Sequence, residues 1–514
     1  MSSVGKSVTP FLEKNAVLME LDQQYAAPFI SEESVLAAAR RHGFRTTAIG
    51  KVGPIAIQDL AGLDGRDTLV IDDKTGSPEG IPVADEWRKL FAAAGLDVKT
   101  PERGTKPGEN ANPGDFQHPG TVVPNTAQQQ YLVNVITRVA LPTYARDHSP
   151  FVLVFWSRDP DGTQHAHGDA PGELTPGING PTSLSAVRNV DRNVAEIEGA
   201  LQRLQLDKST NIIIAADHGF STISKTSATS SAAKLTYLDT KVGELPLGFL
   251  AIDLLSGLRS TDSNLKLYDP DRNNAVVEWE KDMHTAGGNA LIGADDSAPQ
   301  IIVAANGGSD LIYLTAANAW SLARRVADVL LTHDYVSGIF VDDRLGPIAG
   351  TLPLSAIHLK GAALTPIPSI VVNFKSFATG CDNPVKCTVE VADTKLQQGQ
   401  GMHGSFSRAD TWNFMAAIGP DFKAHYVDSM PASNADIGRT LMRLLNLKIE
   451  SKGCLQGRVL SEALIGGHSM PVVHRRLESA PAANGLKTIV RTQSVGNATY
   501  FDAGGFVGRT VGLE

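Results

Sequence analysis

The chain has 514 residues, 42% hydrophobic and 20% charged, the composition of an ordinary globular protein. Its length suits one large α/β domain with insertions, or two to three smaller ones. A net charge of −9 argues against a stable complex with nucleic-acid backbone, and no apolar run approaches the ~20 residues of a membrane span. An anionic substrate stays compatible with that acidity if bound metal ions supply local positive charge.

The N-terminus carries Lys6 and Lys14 but no continuous apolar core of a signal peptide. The "GKS" at 5–7 lacks the leading glycine and spacer of a phosphate-binding loop and is set aside. Strands are expected at Thr46–Gly50, Thr68–Asp72, Phe151–Ser157, Asn211–Ala216, Ile301–Ala304, Leu311–Leu314, Gly338–Val341, Ser369–Phe374 and Trp412–Ile418. Several are apolar throughout, which suits strands covered on both faces. Helices are expected at Glu32–His42, Ala127–Tyr144, Leu184–Leu206, Ala317–Leu331 and Ala435–Leu445. Their alternation with the strands predicts an α/β fold with a mostly parallel central sheet flanked by helices. Pro101–Pro124 and Asp169–Pro181 read as loops, as does the small polar stretch "STISKTSATSSAAK" after Phe220. We expect a core over 1–466, a cap or insertion at about 235–350, and a short β-rich tail over 467–514. Cys381 and Cys387 flank a turn-forming Asn-Pro. A small disulfide loop and three reduced thiols, with Cys454, both fit.

Three stretches carry candidate chemistry. In "RDPDGTQHAHGD", just after the apolar 151–157 run, Asp161 and His165 stand four apart. On a helical turn they share a face and offer one oxygen and one imidazole to a metal. Asp159, His167 and Asp169 either support that pair or are solvated. In "NIIIAADHGF", an apolar strand ends in Asp217 and His218, with Gly219 expected to turn the backbone sharply. In "GQGMHGSFSRADTWNFMAAIGPDF", His403 sits among glycines before another apolar run. Alone, each has a plain alternative: a solvated loop, a helix cap, a surface histidine. Strand, helix and strand over 151–216 read as a βαβ unit, which would set its two strands parallel and adjacent. Both aspartate-histidine pairs then fall at strand carboxyl ends, the edge where open α/β sheets build sites.

"PDGTQH", "ADHGF" and "MHGSF…AIGPDF", in this order, resemble the type I phosphodiesterase/nucleotide pyrophosphatase family of the alkaline phosphatase superfamily. "GFRTTAIGKVG" (43–53) resembles its second core strand. The resemblance runs from about Glu32 to Leu447. It implies an alkaline phosphatase-like fold and two metal ions, usually zinc. Asp161, His165 and His403 would hold one ion, and Asp217 and His218 would belong to the other. It implies phosphoester hydrolysis of a small phosphorylated or nucleotide-like substrate through a phospho-threonine or phospho-serine. It also implies a periplasmic or secreted protein.

Two of the family's signals are missing. One is an early strand ending in Asp-Gly; the other is a threonine- or serine-bearing nucleophile loop. The apolar run ending in Asp22 lacks the glycine, and Thr46 and Thr47 read as strand packing. The nucleophile therefore stays unassigned, and a start inside the family's usual sequence would explain the gap. A remnant that binds one metal or a ligand without catalysis is the alternative function. A sulfatase is disfavoured because none of the three cysteines lies in a C-x-P-x-R setting.

Overall fold

A computed structural model describes residues 14–24, 30, 32–104, 106, 108–109, 111–359, 366–449, 452 and 455–513, so Cys454 lies outside the described residues. The apolar runs at 45–50, 68–72 and 151–156 form three parallel strands, β1 (Arg45–Gly50), β2 (Thr68–Asp72) and β3 (Phe151–Trp156), in the order β2–β1–β3. Alternate side chains feed two separate cores, as the period of a strand requires. Ile49, Leu69 and Ile71 pack under helices Thr126–Val135 and Pro181–Arg203. Ala48, Val70 and Val152 pack against helix Val35–Arg41 and Ile55 on the opposite face. That double coverage is why these runs carry no polar alternation.

The expected helix over 127–144 is broken by a π-helical turn, Ile136–Ala140, before Leu141–Arg146. Pro142 lacks an amide proton and would crowd a regular helix, and the wider turn accommodates it. The run ending in Asp22, considered above as an early strand, is a helix over Asn15–Gln24. Its buried Val17, Leu18 and Leu21 sit at helical spacing.

The 151–216 unit departs from expectation. Among the described residues no hydrogen-bonded ladder joins the strand β4 (Ile212–Ala215) to β3, although Ile212 packs on the same core as Phe151, Leu153 and Phe155. Instead β4 pairs antiparallel with Met415–Ile418, distant in sequence, in a sheet of its own. Among the described residues, one edge of β3 and one edge of β4 have no ladder partner, and the side chains of both strands are mostly half-buried. The stretch after Phe220 is not a loop at its start. Ser221–Ser224 is a fully buried strand, β5, parallel to Thr388–Val391 and antiparallel to Gly401–Met402.

Residues 266–374 supply an eight-stranded sheet, antiparallel except between Val336–Val341 and Leu352–Pro353. Tight connections such as Gly307–Gly308 allow only antiparallel neighbours. Helices Phe249–Leu258 and Ala319–Leu330 bury their apolar faces on this sheet. Val472–Glu478, Ile489–Val495 and Ala498–Gly505 form a three-stranded antiparallel sheet. Cys381 and Cys387 form a disulfide. Among the described residues no helix is long and apolar enough to cross a membrane.

Candidate metal centre

The short helix Asp161–Ala166 follows β3 directly and puts Asp161 and His165 on one face. The pairing of β5 with Gly401–Met402, with Met402 opposite Ser221, brings His403 beside the Asp217–His218 loop. The result is a cluster around one carboxylate oxygen. Asp161 Oδ1 lies 3.3 Å from His165 Nε2, 3.8 Å from His403 Nε2 and 3.9 Å from His218 Nε2. Asp161, His165 and His403 form a group that could hold a metal ion. The rings of His218 and His403 stack at 3.6 Å, and Phe220 lies against all three imidazoles.

The tautomers follow from the hydrogen bonds. His165 Nδ1–H donates to the Gly401 carbonyl at 2.7 Å and His218 Nδ1–H to the Gly219 carbonyl at 2.8 Å. A carbonyl can only accept, so in the neutral rings Nε2 carries the lone pair that faces the centre. Those lone pairs point at Asp161 Oδ1, which is buried and has no hydrogen-bond partner. Acceptors facing an acceptor repel unless a cation lies between them. The donor set, one carboxylate oxygen and imidazole nitrogens oriented by backbone carbonyls, fits a divalent metal ion. Burial, then the neighbouring His218 and His165, push His403 down to about 3, so its ring is neutral and ligand-ready at pH 7. Burial alone would raise the Asp161 carboxyl. The His165 imidazole beside it and then the Lys51 ammonium outweigh burial and hold it well below the usual carboxylate range.

Asp217 is the most exposed of the five candidates and sits 3.4 Å from His218 Nε2. Gly219 makes no sharp turn of its own. It is needed because a Cβ there would fall 1.8 Å from the Ala409 carbonyl oxygen. The supporting residues around the earlier pair do not touch the centre. Asp159 is buried and accepts from Thr163, Arg103 and Asn125, which braces the Asp161–Ala166 helix. Asp169 accepts from the Thr182 amide and hydroxyl at the start of helix Pro181–Arg203. His167 is buried, and burial lowers its pKa to about 4. Thr46 and Thr47 are buried in β1, where their hydroxyls bond to Thr68 and Tyr144.

Two supports lie inside the stretches 43–53 and 399–422, where nothing in their residue type or spacing marks a role. Lys51, just past β1, donates to Asp161 Oδ2 at 3.4 Å. Asp410 ties the two histidine loops together. It accepts from Ser221 Oγ at 2.8 Å and from the Ser405 amide and hydroxyl at 2.8 and 2.9 Å. Glu390 is buried beside it, and burial together with the Asp410 charge pushes the Glu390 carboxyl well above the usual range.

Residues 28–323, more than half the chain, match the family "Type I phosphodiesterase / nucleotide pyrophosphatase". The chain belongs to this family. Its fold is the α/β, alkaline phosphatase-like arrangement that the motifs imply, with its parallel strands in β1–β3. The "Ectonucleotide pyrophosphatase/phosphodiesterase family member 1" of Mus musculus is 26% identical over 134 residues, which is 26% of this chain and 13% of that protein. The Rattus norvegicus protein of the same name is 26% identical over 117 residues, 23% of this chain and 11% of that protein. The aligned stretch thus covers a small part of those relatives. The reaction class of the type I phosphodiesterase/nucleotide pyrophosphatase family is phosphoester hydrolysis, and His403 lies outside the matched residues while Asp161, His165, Asp217 and His218 lie within them.

Proposed function

We propose that the protein is a metal-dependent phosphoester hydrolase acting on a small phosphorylated or nucleotide-like substrate. Zinc would be held by Asp161, His165 and His403, with His218 facing the same point and Asp217 beside it. One ion or two would serve. If a second ion joins, Asp217 and His218 are the protein groups able to receive it. The observation that supports this reading is the buried, unbonded Asp161 Oδ1, faced by three imidazole Nε2 atoms at strand ends of a family that hydrolyses phosphoesters. A bound ion would supply Lewis-acid polarisation of a phosphoryl oxygen. The chain's own residues orient the imidazoles and keep the pocket partly closed to water through Phe220.

A second reading, a remnant that binds metal without catalysis, draws on Thr46 and Thr47. Their hydroxyls are committed to packing, which leaves no nucleophile assigned. The test is hydrolysis of a chromogenic phosphodiester by the purified chain with added zinc, beside Asp161→Ala. Zinc-dependent turnover that disappears in the variant supports the hydrolase. Zinc binding without turnover supports the remnant. Turnover unchanged in Asp161→Ala belongs to a contaminant and removes the basis of the proposal.

A further inference from the structure

The two oxygens of Asp161 face different chemistry. Oδ1 meets the three imidazoles, and Oδ2 meets the Lys51 ammonium at 3.4 Å. The lysine is held by the backbone on which it sits. Gly50 pairs with Trp156 in the β1–β3 ladder, and the Lys51 amide donates to the Trp156 carbonyl at 3.0 Å. Gly50 has a φ of +141°, and a Cβ there would fall 1.9 Å from that same carbonyl oxygen. Only glycine lets β1 press so close to the end of β3. The Lys51 side chain is only 18% exposed and therefore points along the strand edge toward the cluster instead of into solvent.

A second cation is poorly provided for. His218 Nε2 lies between Asp217 Oδ2 at 3.4 Å and Asp161 Oδ1 at 3.9 Å, its ring stacks on His403, and Asp217 is 46% exposed. Among the described residues, the one group of three or more side chains able to hold an ion is Asp161, His165 and His403. A catalytic zinc site ordinarily has three protein ligands, and Asp217 with His218 falls short of that.

We infer that this centre takes a single divalent ion, and that Lys51 supplies the second positive charge by donating to a phosphoryl oxygen of the anion bound there. The inference rests on the metal centre proposed above. The geometry suits the role, because Asp161 bridges the two charges: one oxygen for the ion, the other for the ammonium. An anion bound at the ion would compete with Asp161 Oδ2 for the Lys51 ammonium. Arginine at this position would keep the charge but not the compact point donor, and methionine would keep the aliphatic stem alone.

The experiment uses the full chain, loaded with zinc, and its Lys51→Met and Lys51→Arg variants. Zinc per chain is read by mass spectrometry, and inorganic phosphate binding by calorimetry. The expected result is one zinc per chain in all three proteins. Phosphate binding should weaken by about ten- to hundredfold in Lys51→Met, with part of it restored in Lys51→Arg, the scale of losing one charge-assisted donor. Two zinc ions per wild-type chain would overturn the single-ion assignment. Equal phosphate affinity in wild type and Lys51→Met would overturn the role of Lys51 while leaving the metal centre intact. Zinc absent from the wild type would overturn both. Phosphate binding is read without turnover, so a failure of the hydrolase reading does not disturb it.

Discussion

Removing the Asp410 carboxylate should loosen the metal centre from behind. Asp410 accepts three hydrogen bonds, one from Ser221 Oγ and two from Ser405, and all three donors are buried. In Asp410→Ala these donors lose their acceptor, and each buried unsatisfied donor costs about 1–3 kcal/mol. Two effects offset part of that sum. Ser405 Oγ keeps a bond to Ser407 Oγ at 3.0 Å, and Glu390 no longer faces a buried neighbouring charge. The net expectation is a loss of about 2–4 kcal/mol. Asp410→Asn keeps the shape, one acceptor oxygen and a new donor toward Glu390, so it should lose roughly half as much. Urea denaturation with an unchanged slope measures both. Zinc affinity should fall in Asp410→Ala by about 10–100-fold, because Ser221 and Ser405 anchor the loops that carry His218 and His403. An Asp410→Ala protein within about 0.5 kcal/mol of wild type would refute the reasoning. So would full zinc affinity in a destabilised one.

Direct ligand removal should cost more than this indirect loosening. His403→Ala is expected to weaken zinc by more than about 100-fold, beyond the range for a supporting residue, as measured by competition with a chromogenic chelator. Glu390 gives a pH signature. Its native carboxyl is raised above the ordinary 4.5, so it favours the folded state at low pH and loses that contribution as pH climbs through the raised value. Glu390→Gln holds the neutral form at every pH. Its unfolding midpoint should match wild type near pH 5 and exceed it near pH 9; parity at both would show that Glu390 is not buried as a neutral acid.

How much of this was legible in the sequence depends on the kind of information each feature needs. The apolar runs of β1, β2 and β3 were readable because burial on both faces leaves a continuous signal. Asp161 and His165 were readable because ligand chemistry and helical spacing coincide within six residues. Pairing was not. β4 finds its partner at Met415–Ile418, and no local pattern encodes that choice. Ser221–Ser224 looked like a loop because serine and threonine are common in turns, yet two ladders bury it completely. Lys51 and Asp410 fall inside the quoted stretches 43–53 and 399–422, but nothing in their residue type or spacing marks a role. One is a lysine after a strand and the other an aspartate near a helix start, and only the fold brings them to Asp161 and Ser405. The spacing of Val17, Leu18 and Leu21 that suits the Asn15–Gln24 helix was present in the sequence, but so short an apolar-rich run fits either element.

The seam between β3 and β4 has an energetic consequence for metal binding. Asp161 and His165 hang from the β3 side, whereas His218 and His403 hang from loops bounding β5. No ladder joins β3 to β4 among the described residues, so the imidazoles meet across a seam. An ion bound by Asp161, His165 and His403 would add a link between the β3 side and the 401–405 loop, which already meet through the His165–Gly401 and Gly172–Gln398 hydrogen bonds. Binding to the folded state alone adds RT ln(1 + [L]/Kd), about 4 kcal/mol at a thousandfold excess over Kd. Because the ligands straddle the seam, that stabilisation should appear on both sides. Amide exchange should slow in Asp161–Ala166 and equally in 217–221 and 401–405 when zinc is added. Protection confined to Asp161–Ala166 would mean that the ion sits on one side only and that His403 is not a ligand. Protection in all three segments, lost in His403→Ala from the 401–405 loop first, is what a cross-link requires.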